Sequence, residues 1–98
     1  MKRTLLAPQA LAAALATLPG WELQGGAITR RYDFTSYTAG IDFVVLIAQD
    51  AEVLDHHPDL QVGWRKVTAT LTTHSASGLT DLDIEMARRM EARRAMLG

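Results

Sequence analysis

All three histidines of this chain fall in its second half, and histidine is the side chain best suited to move protons near neutral pH. His56 and His57 are adjacent, Pro58 follows them directly, and His74 comes later. Because proline pushes the preceding residue into an extended conformation, we expect the pair in a loop, where its side chains can face different sides of one cavity. The pattern allows acid–base catalysis, although surface histidines or helix caps are equally good interpretations of the residues alone.

The same histidines allow a metal site, with Asp55 or Asp59 as a further ligand. Adjacent histidines seldom reach one ion without strain, and neither HxxxH nor HExxH spacing is present. We therefore favour proton transfer over metal binding.

Carboxylates lie on both sides of the histidines. Glu52 is one helical turn before His56 and could orient that imidazole, although an exposed helix carboxylate is the commoner case. Asp83 follows Thr80 by three residues, which is the spacing of a capping box, so its first interpretation is structural. Its side chain could alternatively tether His74 or a ligand.

Composition limits the possible partners and chemistry. The 98 residues allow one domain, spanning 1–98. Ten basic and eleven acidic residues give a net charge of −1, so we expect neither nucleic acid nor a membrane as a partner. Cysteine is absent, which removes disulfides and thiolate nucleophiles and fits a reducing compartment, so we expect a cytoplasmic protein.

The N-terminal residues imitate the basic and apolar regions of a secretory signal. Pro8 and Gln9 interrupt the apolar run, so we expect instead an amphipathic helix that begins near Pro8 and ends at Pro19-Gly20. No run is long enough for a membrane span. The residues with helical spacing are Leu11, Ala14, Leu15 and Leu18.

The first hairpin is predicted from Trp21 to Phe34, with a tight turn at Gly25-Gly26. Its strands are Trp21 to Gln24 and Ala27 to Phe34. Arg30 falls on the apolar side of the second strand, where it would cap an edge or face a partner.

A second helix is predicted from Tyr37 to about Asp55, with Ser36 or Thr35 as its N-cap. Its β-branched residues favour a strand, but about 18 residues without a turn signal is long for a strand. The residues assigned to its apolar stripe are Tyr37, Ile41, Val44, Val45 and Ala48.

A second hairpin is predicted around Gly63, with strands Leu60 to Val62 and Lys66 to His74, and a last helix begins at Thr80. The order α-β-β-α-β-β-α predicts an α+β fold in which a four-stranded antiparallel sheet carries three helices on one face. Unpaired edges and an uncovered face of such a sheet lead us to expect a homodimer or homotetramer.

The residues around the histidines resemble those of the pterin-4a-carbinolamine dehydratases. The likeness rests on E-x-x-D-H-H-P-D from Glu52 to Asp59 and on T-H-x-x-x-G-L-T-x-x-D from Thr73 to Asp83. Trp64 supplies a spaced aromatic between these motifs. The resemblance covers most of the chain.

This resemblance implies a dehydratase that removes water from 4a-hydroxytetrahydropterin, formed by aromatic amino acid hydroxylases, and yields quinonoid dihydropterin in tetrahydrobiopterin recycling. It implies no metal and no cofactor, since the pterin is the substrate. His56, His57 and His74 are the implied catalytic residues. Our hypothesis is that His56 and His74 exchange protons and that His57 orients the pterin. The expected substrate-binding residues are Glu52, Asp55, Trp64, Thr73 and Asp83.

Two positions depart from the pattern of this family. Leu60 stands where many members have an aromatic residue, which weakens one wall of the implied pocket, and Leu82 replaces the usual basic residue before Asp83. Because some members bind a transcription factor, a protein-binding or coactivator module is the alternative function. A role in molybdopterin metabolism is another. Retention of all three histidines favours the enzyme.

Overall fold

The computed structural model describes residues 3–97, and within them it contains three α-helices and one four-stranded sheet in the predicted order. A 3₁₀ turn, His74–Ala76, precedes the last helix. The elements are α1 (Pro8–Ala16), β1 (Glu22–Gln24), β2 (Ala27–Asp33), α2 (Tyr37–Leu54), β3 (Asp59–Gly63), β4 (Lys66–Leu71) and α3 (Asp81–Met96).

The sheet is antiparallel, and its strand order is β1-β2-β4-β3. The long central pair aligns Ile28 with Leu71 and Tyr32 with Val67, and all four side chains are buried. Polar residues such as Arg31 alternate with them and stay exposed on the other face. The alternation predicted for β4 is therefore confirmed, and it decides which face the helices cover.

The helices supply the other half of one hydrophobic core. Phe43 and Ile47 of α2 and Met86 and Met90 of α3 are fully buried against the inner face of the sheet. Burying each such side chain stabilises the fold by about 1.5–3 kcal/mol. The predicted stripe of α1 also packs on this core, with Leu18 buried and its other members half-buried. The three helices thus share one face of the sheet, as predicted.

The existence of α2 is confirmed, but the apolar stripe predicted for it is wrong. The buried residues are Gly40, Phe43, Ile47, Asp50 and Ala51. Tyr37, Val45 and Ala48, three of the residues assigned to the apolar stripe, are exposed. The helix carries apolar residues on both sides, so periodicity alone could not tell which side the sheet and α3 would cover.

Several predicted ends also shift. Helix α1 stops at Ala16, because Thr17 and Leu18 turn back to bond Ala14 and Leu15. Strand β4 stops at Leu71, so His74 lies in the 3₁₀ turn and not at a strand end.

Arg30 faces a partner from the apolar side of β2, which was one of its two predicted environments. Its guanidinium donates to Glu91 Oε1 at 2.6 Å and to the Pro19 carbonyl at 2.8 Å. Glu91 also accepts a hydrogen bond from the buried Tyr32 hydroxyl. Burial, followed by this hydrogen bond to the carboxylate, raises the pKa of Tyr32 well above its usual value. These polar groups therefore join β2 to α3.

Two of the three helix starts, those of α2 and α3, have the predicted side-chain caps. Ser36 Oγ accepts from the Ala39 N–H at 3.1 Å, and Thr80 with Asp83 forms the capping box of α3. None of the helices within residues 3–97 combines the length and apolar character that a membrane span needs.

Candidate active site

The three histidines, taken from two separate loops, line one cleft of about 280 Å³. His56 and His57 lie in the loop between α2 and β3, and His74 lies in the 3₁₀ turn between β4 and α3. The sequence predicted His56 and His57 in a loop and His74 at a strand end, and only the packing of α2 beside the sheet brings the three together. The cleft is lined by Arg3, Asp55, His56, His57, Thr72, Thr73, His74 and Ser75.

Asp55 sets the direction in which the two adjacent histidines leave α2. It adopts the left-handed conformation, with φ 49° and ψ 46°, at the C-cap of the helix. The His56 N–H then bonds the Ala51 carbonyl at 3.1 Å, which closes the helix end. After this turn His56 is 5% exposed, whereas the His57 side chain is 56% exposed. The expected separation of the two imidazoles is confirmed.

His56 is held by a buried carboxylate. Its Nε2 lies 2.6 Å from Asp83 Oδ1, and Asp83 is 0% exposed. The other oxygen of Asp83 accepts from the Thr80 N–H at 2.9 Å and from the Thr73 hydroxyl at 2.8 Å. Asp83 is therefore both the helix cap that its spacing predicted and the partner of a histidine, which is His56 and not His74.

His57 has a carboxylate partner of its own at the rim of the cleft. Its Nε2 lies 2.7 Å from Glu52 Oε2, and the Glu52 side chain is 79% exposed. Glu52 is an exposed helix carboxylate, the commoner of its two expected environments, and it does not meet His56, because the left-handed turn at Asp55 carries His56 inward and leaves His57 beside Glu52. An exposed pair of this kind orients a ring but adds little stability.

His74 lines the cleft from the second of the two chain segments. The Thr73 N–H and carbonyl both bond to Gly78, at 2.9 and 3.3 Å, and this bridge closes the turn that carries His74. The side chain of His74 is exposed. His56 is buried and His74 is exposed, so the two imidazoles line the cleft in different environments.

Of the remaining predicted site residues, Asp55 and Thr73 line the cleft and Trp64 does not. Asp55 lines the cleft with an exposed carboxylate, and Thr73 lines it but is 1% exposed, with its hydroxyl engaged by Asp83. Trp64 is 71% exposed in the turn at the far end of the β3–β4 hairpin, with the Arg65 guanidinium 4.5 Å from its ring centre. The fold of one chain does not bring Trp64 to the histidines.

Leu60 and Leu82, the two positions that depart from the family pattern, pack in the apolar interior. Leu60 is half-buried against the core, and Leu82 is 3% exposed. Neither position therefore contributes charge to the cleft.

Arg3 is a cleft residue that sequence reasoning missed. Its guanidinium donates to the Asp55 carbonyl at 2.8 Å and lies 3.7 Å from the Asp55 carboxylate. The N-terminal segment that carries Arg3 lies next to the start of α3, because the Leu6 N–H donates to the Leu79 carbonyl at 2.9 Å. No sequence signal indicated this, because Arg3 and Asp55 are 52 positions apart.

Other candidate sites are weaker. In the described part of the chain, no group of three or more His, Cys, Asp and Glu side chains has the arrangement of a metal site. A larger groove of about 410 Å³ lies along β1, β2 and β4, lined by Arg30, Arg31, Asp33 and neighbouring residues, but no histidine borders it. The histidine cleft is therefore the site with the means to transfer protons.

Comparison with known proteins points the same way. The sequence model described as pterin 4 alpha carbinolamine dehydratase matches residues 4–93. A protein of Mycolicibacterium vanbaalenii is 45% identical over 87 residues, which cover 89% of this chain and 94% of the relative, and carries that enzyme name provisionally. A Streptomyces coelicolor protein with the same provisional name is 48% identical over 88% of this chain and 86% of its own length.

Two solved structures share the fold. A transcriptional coactivator/pterin dehydratase from Brucella melitensis superposes with a TM-score of 0.86, at 41% identity over 90% of this chain and 96% of that chain. A pterin dehydratase-like protein described as a RuBisCO assembly factor superposes with a TM-score of 0.64, at 23% identity over 76% of this chain and 86% of its own. At that identity the second likeness concerns the fold alone.

Proposed function

The chain belongs to the pterin-4α-carbinolamine dehydratase family, and from this premise we propose that it removes water from a 4a-hydroxytetrahydropterin to give the quinonoid dihydropterin. The observation that carries the proposal is the convergence of His56, His57 and His74 on one cleft. A cleft of about 280 Å³ suits a small bicyclic ring better than a macromolecular substrate.

The proposed reaction breaks one carbon–oxygen bond. The C4a hydroxyl receives a proton and leaves as water while N5 loses its proton, and the N5 electrons form the new C4a=N5 double bond. No electrons pass to another molecule, so the reaction needs no redox cofactor, and the pterin is the substrate. The site must therefore supply one proton and accept one, on groups near neutrality.

His56 and His74 are the proposed proton-transfer residues. His56 is buried and paired with Asp83, whereas His74 is exposed in the same cleft, and this difference supports separate tasks for the two imidazoles. We assign proton acceptance to His56, which holds a fixed orientation, and donation to His74, which exchanges protons with water.

His57 and the rim carboxylates have the proposed task of binding the ring. The Glu52 carboxylate orients the His57 imidazole, and Asp55 places an exposed carboxylate on the same rim, where it can accept from the N–H groups of a pterin. Trp64 has no part in the proposed site of a single chain.

Replacement of His74 by Ala tests this function with synthetic carbinolamine as substrate. We expect turnover to fall by about 10²-fold or more, because general acid–base groups contribute about that much. The change Gln61→Ala, at an exposed position on β3, is the control and is expected to leave turnover unaltered. Turnover of the His74→Ala protein equal to that of the unaltered chain would contradict the proposed role.

A protein-binding function is the second candidate. It is supported by the name of the Brucella melitensis structure, a coactivator as well as a dehydratase, and by exposed apolar residues on α2 such as Val45 and Val53. The carbinolamine assay separates the two functions. A protein that serves only as a binding module would fold with its three histidines intact and still fail to dehydrate the carbinolamine.

The physiological setting is also a proposal. We place the protein in the cytoplasm beside an aromatic amino acid hydroxylase, whose reaction produces the 4a-hydroxylated pterin, within tetrahydrobiopterin recycling. A molybdopterin-related role would replace this setting if the chain acted only on pterins of that class.

A further inference from the structure

Two buried hydroxyl groups, those of Thr80 and Thr73, are hydrogen-bonded in series to the Asp83 carboxylate that binds His56. Neither hydroxyl takes part directly in the proposed proton transfers. Thr73 is 1% exposed, and Thr80 and Asp83 are 0% exposed. Thr73 Oγ1 lies 2.8 Å from Asp83 Oδ2 and also 2.8 Å from Thr80 Oγ1. Polar groups buried to this degree are hydrogen-bonded, and here the partners are one another.

The direction of each hydrogen bond among Thr73, Thr80 and Asp83 follows from counting the available protons. The Thr80 N–H can only donate, so Asp83 Oδ2 is an acceptor. Thr73 has one hydroxyl proton and donates it to the same oxygen. The Thr80 hydroxyl must then donate to Thr73, while its own oxygen accepts from the Leu82 N–H at 3.3 Å. Every donor therefore points toward Asp83.

This arrangement decides which nitrogen of His56 carries the proton. A carboxylate accepts hydrogen bonds on both oxygens, and Asp83 Oδ2 already receives the Thr80 N–H and the Thr73 hydroxyl proton. Its remaining oxygen, Oδ1, then accepts the Nε2–H of His56 at 2.6 Å. In the neutral imidazole the other nitrogen, Nδ1, is left as the acceptor.

We infer that Thr73 is a positioning residue of the site: its hydroxyl fixes ionised Asp83, so that His56 keeps a proton on Nε2 and offers Nδ1 to the N5–H of the pterin. The inference rests on the proposed function for the identity of that substrate proton. It also changes the role expected of Thr73, which was predicted to bind the substrate itself.

The other charged and titratable groups at the cleft have separate partners or face solvent. Arg3 is paired with Asp55, His57 is paired with Glu52, and His74 is exposed. None of these side chains is hydrogen-bonded to Thr73 or Asp83 among the described residues. A change confined to the Thr73 hydroxyl should therefore act on His56.

The test compares Thr73→Val with Thr73→Ser in the full chain. Loss of one donor frees the Asp83 carboxylate to rotate, so it no longer fixes the tautomer of His56. We expect Thr73→Val to lower kcat by about 10- to 100-fold, the loss that follows removal of partners that orient a functional histidine, with KM little changed. Thr73→Ser should restore kcat. Thr70→Val is the matched control, because its hydroxyl lies 3.4 Å from Thr29 Oγ1 on the uncovered sheet face.

A second measurement does not depend on activity. Nitrogen-15 NMR of the imidazoles should show His56 protonated at Nε2 in the unaltered chain and a mixture of tautomers in Thr73→Val, or in Thr73→Ala if the valine variant does not fold. An Nδ1–H tautomer in the unaltered chain would overturn the inference, as would a folded Thr73→Val protein with unchanged kcat. If the NMR result holds but the chain dehydrates no carbinolamine, the proposed function fails and the positioning of His56 by Thr73 stands.

Discussion

At the scale of single residues, Asp83 joins the stability of the fold to the chemistry of the cleft. The same carboxylate caps α3 through the Thr80 N–H and orients His56. A capping side chain usually remains near solvent, whereas Asp83 is 0% exposed and uses both oxygens. Removing its charge should therefore affect catalysis more than a helix cap alone would explain.

The change Asp83→Asn tests this double role. An amide N–H₂ opposite His56 Nε2 would favour the tautomer with its proton on Nδ1, and we expect kcat to fall by about 10²- to 10⁴-fold, as when an aspartate that orients a catalytic histidine is replaced. Asp81→Asn, at an exposed position of the same helical turn, is the control and should retain activity. Equal activity of the two variants would argue that Asp83 serves only as a cap.

At the scale of helices and strands, α2 and α3 are joined by a buried ion pair as well as by apolar contacts. Asp50 is 5% exposed and accepts from Arg93 at 2.9 and 3.1 Å and from Arg89 at 3.4 Å. The hydrogen bonds of Arg93 hold the pKa of Asp50 below its usual value. This pair fixes α2 against α3, and these two helices carry Glu52 and Asp83.

The ion pair predicts how stability depends on pH. Because the pKa of Asp50 is lower in the folded chain than in the unfolded one, its stabilisation is present above the unfolded value of about 3.9 and is lost as the pH falls through the folded value. We expect Asp50→Asn to lower the melting temperature by several degrees at pH 7, and the difference from the unaltered chain to shrink below pH 4. Asp42→Asn, exposed on the same helix, should show no such difference. A difference in melting temperature between Asp50→Asn and the unaltered chain that stays constant from pH 7 to pH 3 would contradict this explanation.

At the scale of the whole molecule, the sheet has two open edges, β1 and β3, and one face without helices. That face carries polar residues such as Arg31 and Gln61, so it does not itself need an apolar cover. The edges keep unpaired backbone groups, and α2 exposes Val45 and Val53 at 52% and 72%. Edges and apolar residues of this kind favour association.

We accordingly propose that the chain forms a homodimer or homotetramer. Light scattering at micromolar concentration should give a mass two or four times the chain mass of 10.7 kDa. The pair of changes Val45→Glu and Val53→Glu should lower that mass if α2 forms the interface, and should leave it unaltered if the strand edges do. A mass equal to that of one chain for the unaltered protein would contradict the proposal.

Local rules determined much of this molecule from the sequence alone. Alternation identified the buried residues of β4, the Thr80–Asp83 spacing identified the start of α3, and the Gly25-Gly26 pair marked the first turn. These features depend on neighbours only a few residues apart, so period and spacing suffice to predict them. The motifs around the histidines also indicated the family, which the comparisons confirm.

Only the tertiary structure decided which carboxylate holds which histidine. Spacing paired Glu52 with His56, but the left-handed turn at Asp55 gives Glu52 to His57, and His56 meets Asp83, 27 residues away. The buried side of α2 was predicted wrongly for the same reason: its apolar residues lie all around the helix, and burial depends on what packs against it. Contacts between distant segments follow from the packing of whole elements, which no local pattern encodes.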